Sequence, residues 1–312
     1  MGRYIGRRML ATLPTLLLVY TVVFFIAHST PGSPWDIGTN RPLDPQVKAN
    51  LDAKYHLNEP LAKQYVGYHW NALHGDFGPS YRERALTVDD LIREFLPVSL
   101  QIGGCAMAVA VVLGFLLGGL AALNQGTWLD STITLVTTFG ISLPTYAFVS
   151  ILIVVFGVRL RLVPTFGWDN LLTVNTIVPV VSLALAPMAA LARYFRSSIL
   201  EVAGMDYLRT ARAKGLKSFR IVSRHMMRNA LIPVVTVAAV YGANIMVGSF
   251  FVESIAGVPG FGRYFVLAIQ ARDYPVIIGS TLVYAAFVVV MNLLVDVGYA
   301  LLDPRVRSAM RS

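Results

Sequence analysis

Charge is scarce in this chain. Only 14% of its residues are Asp, Glu, Lys or Arg, where soluble proteins carry about a quarter, so a water-soluble globular domain is not expected. Cysteine occurs once, at position 105, which excludes an internal disulfide and reads as a small apolar packing residue. No Gly-Lys dipeptide exists, so the phosphate-cradling loop of P-loop ATPases is missing. The histidines at 28, 56, 69, 74 and 225 lack ligand spacing and there is no H-E-x-x-H run, so no metal site is expected. Ser142, within Gly140-Ile141-Ser142-Leu143-Pro144, lacks the second glycine of a nucleophile elbow. No catalytic residue is therefore assigned. Neither an aromatic-interleaved basic patch nor zinc-finger spacing points to nucleic acid.

What the chain has instead is apolar length. Hydrophobic residues make up 55% of it, and six runs free of charge cover 9–35, 95–129, 131–158, 170–192, 229–252 and 274–295. Each reaches the ~20 residues that a spanning helix needs. The expected topology is all-α with six spans, at 9–31, about 97–123, 131–158, about 174–195, 229–252 and about 275–300. Six spans put both termini on one side. With residues 1–8 and 304–312 inside, the inner segments hold 15 Lys and Arg against 5 acids, and the outer segments 11 against 12. Positive charge retained in short loops marks the cytoplasmic side. The net charge of +9 and the pI of 9.8 are thus an inner-face property suited to anionic lipid. Arg3, Arg7 and Arg8 precede an apolar core of about nineteen residues, longer than a secretory one, so the first span is expected to stay despite the small-x-small Ala27-His28-Ser29.

Residues 32–94 form the largest polar segment. Val47, Leu51 and Tyr55 recur at helical spacing, as do Leu61, Tyr65 and Tyr68, with Pro60 and Gly75-Asp76-Phe77-Gly78 as punctuation. A small helical extracytoplasmic cap is expected here, serving either as part of a docking surface or only to order the outer loops.

Within the spans, Gly103, Gly104, Gly114, Gly118 and Gly119 thin the second one, and Gly114 with Gly118 makes a G-x-x-x-G pair that permits close approach. Prolines 14, 97, 144, 179, 187 and 233 lie in spans or at their edges, where they kink helices if neighbours take the freed carbonyls. Such features suit a bundle with two packings, and they are also ordinary in membrane helices. Asn244, Glu253 and Asn292 are candidate pathway residues, because polar groups at membrane depth face protein or water. Asp296 reads as either a pathway or an inner-interface residue. No chain of buried acids supports an ion-coupled carrier.

Residues 206–233 form a basic, Gly-interrupted segment between two apolar runs. Ala211 and Ala213 alternate with Arg212 and Lys214 before Gly215, a low-relief surface that another protein can approach, and Gly215 lets the chain bend. Leu216, Phe219, Ile221 and Val222 are apolar, while Lys217, Arg220, Arg224 and Arg228 stay among water or headgroups. This reads as a short helix on the membrane surface; an ordinary basic cytoplasmic loop is the plainer alternative.

The wording of that segment, from Asp206 and Tyr207 through Arg209, Thr210 and Gly215 and on to Arg228-Asn229-Ala230-Leu231-Ile232-Pro233, resembles the coupling loop of the permeases of dipeptide and oligopeptide (peptide/nickel) ABC importers. Pro31-Gly32 with Pro34, His74 to Ser80, Val252 to Gly262, Arg272 to Pro275 and Asp303-Pro304-Arg305 are similar to strings of the same family. One departure concerns the broader permease consensus: Arg209 stands where that consensus has Glu, and Arg228 where it has Pro.

The resemblance implies a type I importer permease of the bacterial inner membrane, with residues 95–303 as its core. It implies a coupling loop at about 196–228 whose contacts to an ATPase come from Tyr207, Arg209, Ala211, Arg212, Ala213, Lys214, Gly215, Leu216 and Phe219. The implied partners are a second homologous permease, two ABC ATPase subunits, an extracytoplasmic peptide-binding protein and membrane lipid, with no nucleic acid. ATP and Mg are expected in the ATPases and no cofactor in this chain. Peptides are the expected cargo, with glutathione, nickel or another small solute as alternatives. An ion-coupled transporter and an intramembrane hydrolase are the rival classes.

Overall fold

The computed structural model describes residues 2–36, 44–83, 86–171, 173–208, 226–246 and 249–302. Among them there is no strand, only an isolated bridge between Pro79 and Thr87. Helices α1 (Gly2–Ser29), α2 (Pro45–Lys54), α3 (Leu61–Leu73), α4 (Val88–Leu123), α5 (Trp128–Ser142), α6 (Thr145–Leu152) and α7 (Ile177–Ala203) are followed by α8 (Met227–Met246), α9 (Phe250–Ala256), α10 (Phe261–Ala271) and α11 (Tyr274–Leu302).

Four of the described helices are long and apolar enough to cross a membrane alone: Leu10–Ser29, Val88–Leu123, Val174–Ala203 and Tyr274–Leu294. Two bent pairs raise the number to six if each counts as one span. The expected third span is one such pair. Trp128–Ser142 and Thr145–Arg159 meet at 105°, because Pro144 offers no N–H to continue the ladder and holds Leu143 in an extended conformation with ψ 120°. Beyond α6 the chain winds as a π-helix over Ile153–Arg159. The second pair, Asn229–Ile245 and Phe250–Ala256, bends by 54°. Helix α4 starts at Val88, inside the segment expected to be wholly external. A Thr87 capping box begins it: the Thr87 hydroxyl accepts from Asp90 N, and the Asp90 carboxylate accepts from Thr87 N. At 36 residues it is about 54 Å long, well beyond a hydrocarbon core of ~30 Å, so its first turns stand clear of the membrane and meet the cap.

The cap seats on α1 and α11 through aromatic rings and hydroxyls. Tyr20 Oη donates to Tyr65 O (2.6 Å), Tyr68 Oη donates to Pro275 O (3.1 Å), and Trp35 Nε1 donates to Asp52 Oδ1 (2.8 Å). Tyr20 and Tyr68 stack at 5.9 Å. Burial pushes the Tyr68 and Tyr81 phenols above their ordinary range, so both remain neutral. Of the residues set at helical spacing, Tyr65 and Tyr68 face the spans, whereas Val47 and Leu61 are exposed.

The main core lies where α7 packs along α4 and α8. Ile102, Ala106 and Ala110 of α4 meet Leu191, Phe195 and Ile199 of α7 and Ala230 and Val234 of α8. The approach of α4 to α7 depends on Gly114 and Gly118. A Cβ at Gly114 would lie 2.8 Å from Leu191 Cβ, and one at Gly118 would overlap the Ala192 backbone. Gly104, by contrast, has nothing within 4 Å of that position. Replacing Gly118 by Val is expected to cost about 1–3 kcal/mol through overpacking, read as a lower melting temperature of the detergent-solubilised protein, while Gly104→Ala leaves it unchanged or raises it.

Candidate functional site

Two regions concentrate the polar chemistry of the bundle. The first is the base of the segment that joins α7 to α8. Helix α7 ends at Gly204, whose N–H returns to Glu201 O and Val202 O, and Leu208 is buried completely. Across the gap, Ser198 Oγ donates to Ala230 O at 2.9 Å, and Asn229 Nδ2 donates to Tyr207 Oη at 2.8 Å. Both ends of the segment are therefore tied together at its root. Met226, Ala230 and Val234 are buried in the same core as Leu208. Tyr207 is 41% exposed. Arg209, Ala211, Arg212, Ala213, Lys214, Gly215, Leu216 and Phe219 lie outside the described residues.

The same end of the bundle holds an ion pair. Arg196 of α7 donates from Nε to Asp130 Oδ1 (2.6 Å) and from Nη2 to Asp130 Oδ2 (2.8 Å), the fork-on-carboxylate geometry that fixes orientation as well as distance. Asp130 Oδ2 also accepts from Gly126 N at 3.0 Å, and Thr134 Oγ1 stands 3.5 Å from Oδ1. One carboxylate thus closes the α4–α5 turn, sits in the first turn of α5 where negative charge is favoured, and holds α7. The Asp130 side chain is 6% exposed and that of Arg196 29%. Neither residue was among the sequence candidates. The available signal was Asp130 alone separating two long charge-free runs.

The second region is the hairpin of α9 and α10. Ser249 caps α9, its hydroxyl accepting from Val252 N at 3.3 Å. Gly257 ends that helix in the left-handed conformation (φ 69°), with Phe166 packed so closely over it that no side chain fits. Helix α10 then begins at Gly260, which has no side chain to cap it. Its N–H groups are met from elsewhere: Phe261 N donates to Ser99 Oγ of α4 (2.9 Å) and Arg263 N donates to Glu253 Oε2 (3.1 Å). A Cβ at Gly260 would overlap both acceptors. The Arg263 guanidinium turns away, donating to Gly257 O (3.2 Å) and lying 5.5 Å from the Phe166 ring centre. Gly167 N donates to Ala256 O at 3.1 Å, which fastens the loop before α7 to the hairpin.

Of the expected pathway residues, Glu253 is completely buried and acts within this hairpin, whereas Asn244 on α8 and Asn292 on α11 are exposed. Ser99 escaped the sequence reading because a serine in a span gives no local sign of a partner 162 residues away. Asp273 is a further buried carboxylate of this kind. It accepts from Ser80 Oγ (2.5 Å) and Arg82 N (3.1 Å) and pins the end of the cap to the start of α11. Among the described residues no group of three or more His, Cys, Asp or Glu is placed to hold a metal ion.

Residues 111–308 match the family described as binding-protein-dependent transport system inner membrane component. The dipeptide transport system permease protein DppB of Bacillus subtilis is 41% identical over 309 residues, covering 98% of this chain and 98% of that protein. The oligopeptide transport system permease protein OppB of Haemophilus influenzae is 40% identical over 307 residues, covering 98% of this chain and all of that protein, and OppB of Escherichia coli K12 is 39% identical with the same coverage. A solved inward-facing MetNI methionine ABC transporter overlaps 71% of this chain and 95% of its own, at 16% identity and a TM-score of 0.47.

Removing the caps of α10 should loosen the hairpin. Ser99→Ala leaves the Phe261 N–H unpaired and is expected to cost about 1–3 kcal/mol. Glu253→Gln, which keeps an acceptor oxygen, should cost less than Glu253→Ala. Hydrogen exchange at the first amides of α10, with melting temperature alongside, checks both orderings.

Proposed function

The chain belongs to the family of binding-protein-dependent transport system inner membrane components, and on that premise we propose that it is the peptide permease of an ATP-driven importer, forming half of the translocation pathway. The observation that carries this reading is end-to-end similarity to permeases named for dipeptide and oligopeptide transport. As a multi-pass protein of the inner membrane, it would stand with both termini in the cytoplasm, an orientation supported by the excess of Lys and Arg in the inner segments. Its partners would be a second, homologous permease, two ATPase subunits and an extracytoplasmic peptide-binding protein. ATP and Mg would be bound by the ATPases, and no cofactor by this chain.

In this reading residues 209–225 seat in an ATPase subunit. Ala211, Ala213 and Gly215 admit close approach, while Arg212 and Lys214 make charge contacts and Leu216 and Phe219 apolar ones. Tyr207 and Arg209 stand at the entry. The tied root supports such a role: Ser198–Ala230 and Tyr207–Asn229 convert a push on the segment into a joint displacement of α7 and α8. Nucleotide binding in the partner then favours one of two packings of the bundle through contacts made in only one of them. Asn244 and Asn292, amides exposed on apolar helices, would face the pathway once a second permease encloses it. Glu253 would contribute by holding the outer hairpin as part of the pathway wall.

Co-purification tests the assembly: two nucleotide-binding chains and a second permease should accompany the tagged protein, and their consistent absence would refute the importer reading. Within the assembled complex, Gly215→Trp should leave membrane insertion intact and lower peptide uptake by about tenfold or more, with ATP hydrolysis no longer tied to uptake. Normal uptake by that variant would count against docking at residue 215.

A further inference from the structure

The coupling reading leaves open how movement at residues 209–225 reaches the other end of the bundle, and the geometry points to Arg196 and Asp130 as the positioning pair that carries it. The inference rests on that reading and extends it to residues that touch neither a motor nor a cargo.

Helices α5 and α7 run antiparallel. At one end lies the Arg196–Asp130 pair, and farther along Gly140 of α5 faces Leu185 and Ala189 of α7, where an added Cβ would meet those side chains at 3.3 and 3.4 Å. Small apolar surfaces of this kind slide past one another at little cost, as in the shear motions of packed helices. A two-pronged guanidinium–carboxylate contact does not. It has one good register, and Arg196 Nε and Nη2 occupy it at 2.6 and 2.8 Å. The pair is therefore the element that makes α5 follow α7 along its axis.

Its place in the chain gives that link a source and a destination. Arg196 lies two residues before Ser198, whose hydroxyl binds Ala230 O at the root of the 209–225 segment. Asp130 lies in the first turn of α5, whose 15 residues reach about 22 Å to the 105° break at Pro144. Beyond the break, α6 packs against α9, with the Tyr146 and Phe251 rings 6.0 Å apart. Helix α9 carries Glu253, which caps α10. An axial shift of α7 is thus passed to α5 by one ion pair and carried past one proline break to α6, which packs on both α7 and α9. Asp130 also accepts from Gly126 N, so the α4–α5 turn travels with the pair.

The link is testable in the complex with its ATPase and permease partners. In a Cys105→Ser background, Tyr146→Cys and Phe251→Cys report the α6–α9 contact through their disulfide yield, compared without nucleotide and with ATP plus vanadate. The yield is expected to differ about fivefold or more between the two conditions. Arg196→Ala and Asp130→Asn should each bring the difference below about twofold while the ATPase subunits still co-purify. Arg196→Lys, which keeps the charge and loses the fork, should fall between, and the exchange Asp130→Arg with Arg196→Asp should restore part of the response. Equal nucleotide dependence in Arg196→Ala and the parent overturns the proposal, as does a parent with no nucleotide dependence. Failure of every variant, Lys included, to assemble also overturns it, since the pair would then be a folding contact. A parent chain that never binds an ATPase is a different result and removes the importer reading itself.

Discussion

Helix α10 begins where its backbone N–H groups have no intrahelical acceptor, and the side chains of Ser99 and Glu253 receive two of them. A buried amide left unmet costs about 1–3 kcal/mol, so a helix can start here only where another element supplies the acceptor. The hairpin end of this bundle is arranged around that requirement. Gly257 turns the chain, Gly260 and Gly262 keep clear of the carboxylate, and α4 brings Ser99 to the spot. The hairpin is fixed to α4, and through Gly167 and Phe166 to the loop before α7. The buried carboxylate of Glu253 is here a structural acceptor.

At the other end the polar contacts have a different character. Ser198–Ala230, Asn229–Tyr207 and Arg196–Asp130 each join separate helices, while the surfaces between those helices are largely small and apolar. The close crossing of α4 and α7 at Gly114 and Gly118 sets a pivot that tolerates little change in separation. Directional contacts at the root and a tight crossing above it fix how these helices sit against one another.

Much of this could be read in the residues. Charge-free runs marked the four long apolar helices and the two bent pairs, since a spanning helix needs length and low charge whatever its neighbours are. The basic segment at 206–233 and the strings around Glu253 and Asp273 pointed to the family that the similarity to DppB and OppB establishes. Glu253, by contrast, looked like a pathway group because an acid beside a span is usually functional, and only the fold shows that its carboxylate meets the N–H of Arg263. Asp130 and Arg196, 66 positions apart, carry no local sign that they meet. Pro144 was visible as a possible kink, but its 105° depends on α6 finding α7 and α9 to lie against.

The sequence by itself determined the apolar medium, the apolar stretches and the kinship, because these follow from composition and local order along one chain. Tertiary structure alone decided which polar groups meet. Ser99 with Phe261, Glu253 with Arg263, and Arg196 with Asp130 are partners set by packing across long separations. In an apolar medium such partners, rather than the residues singly, decide where a helix can break and where it can be pulled.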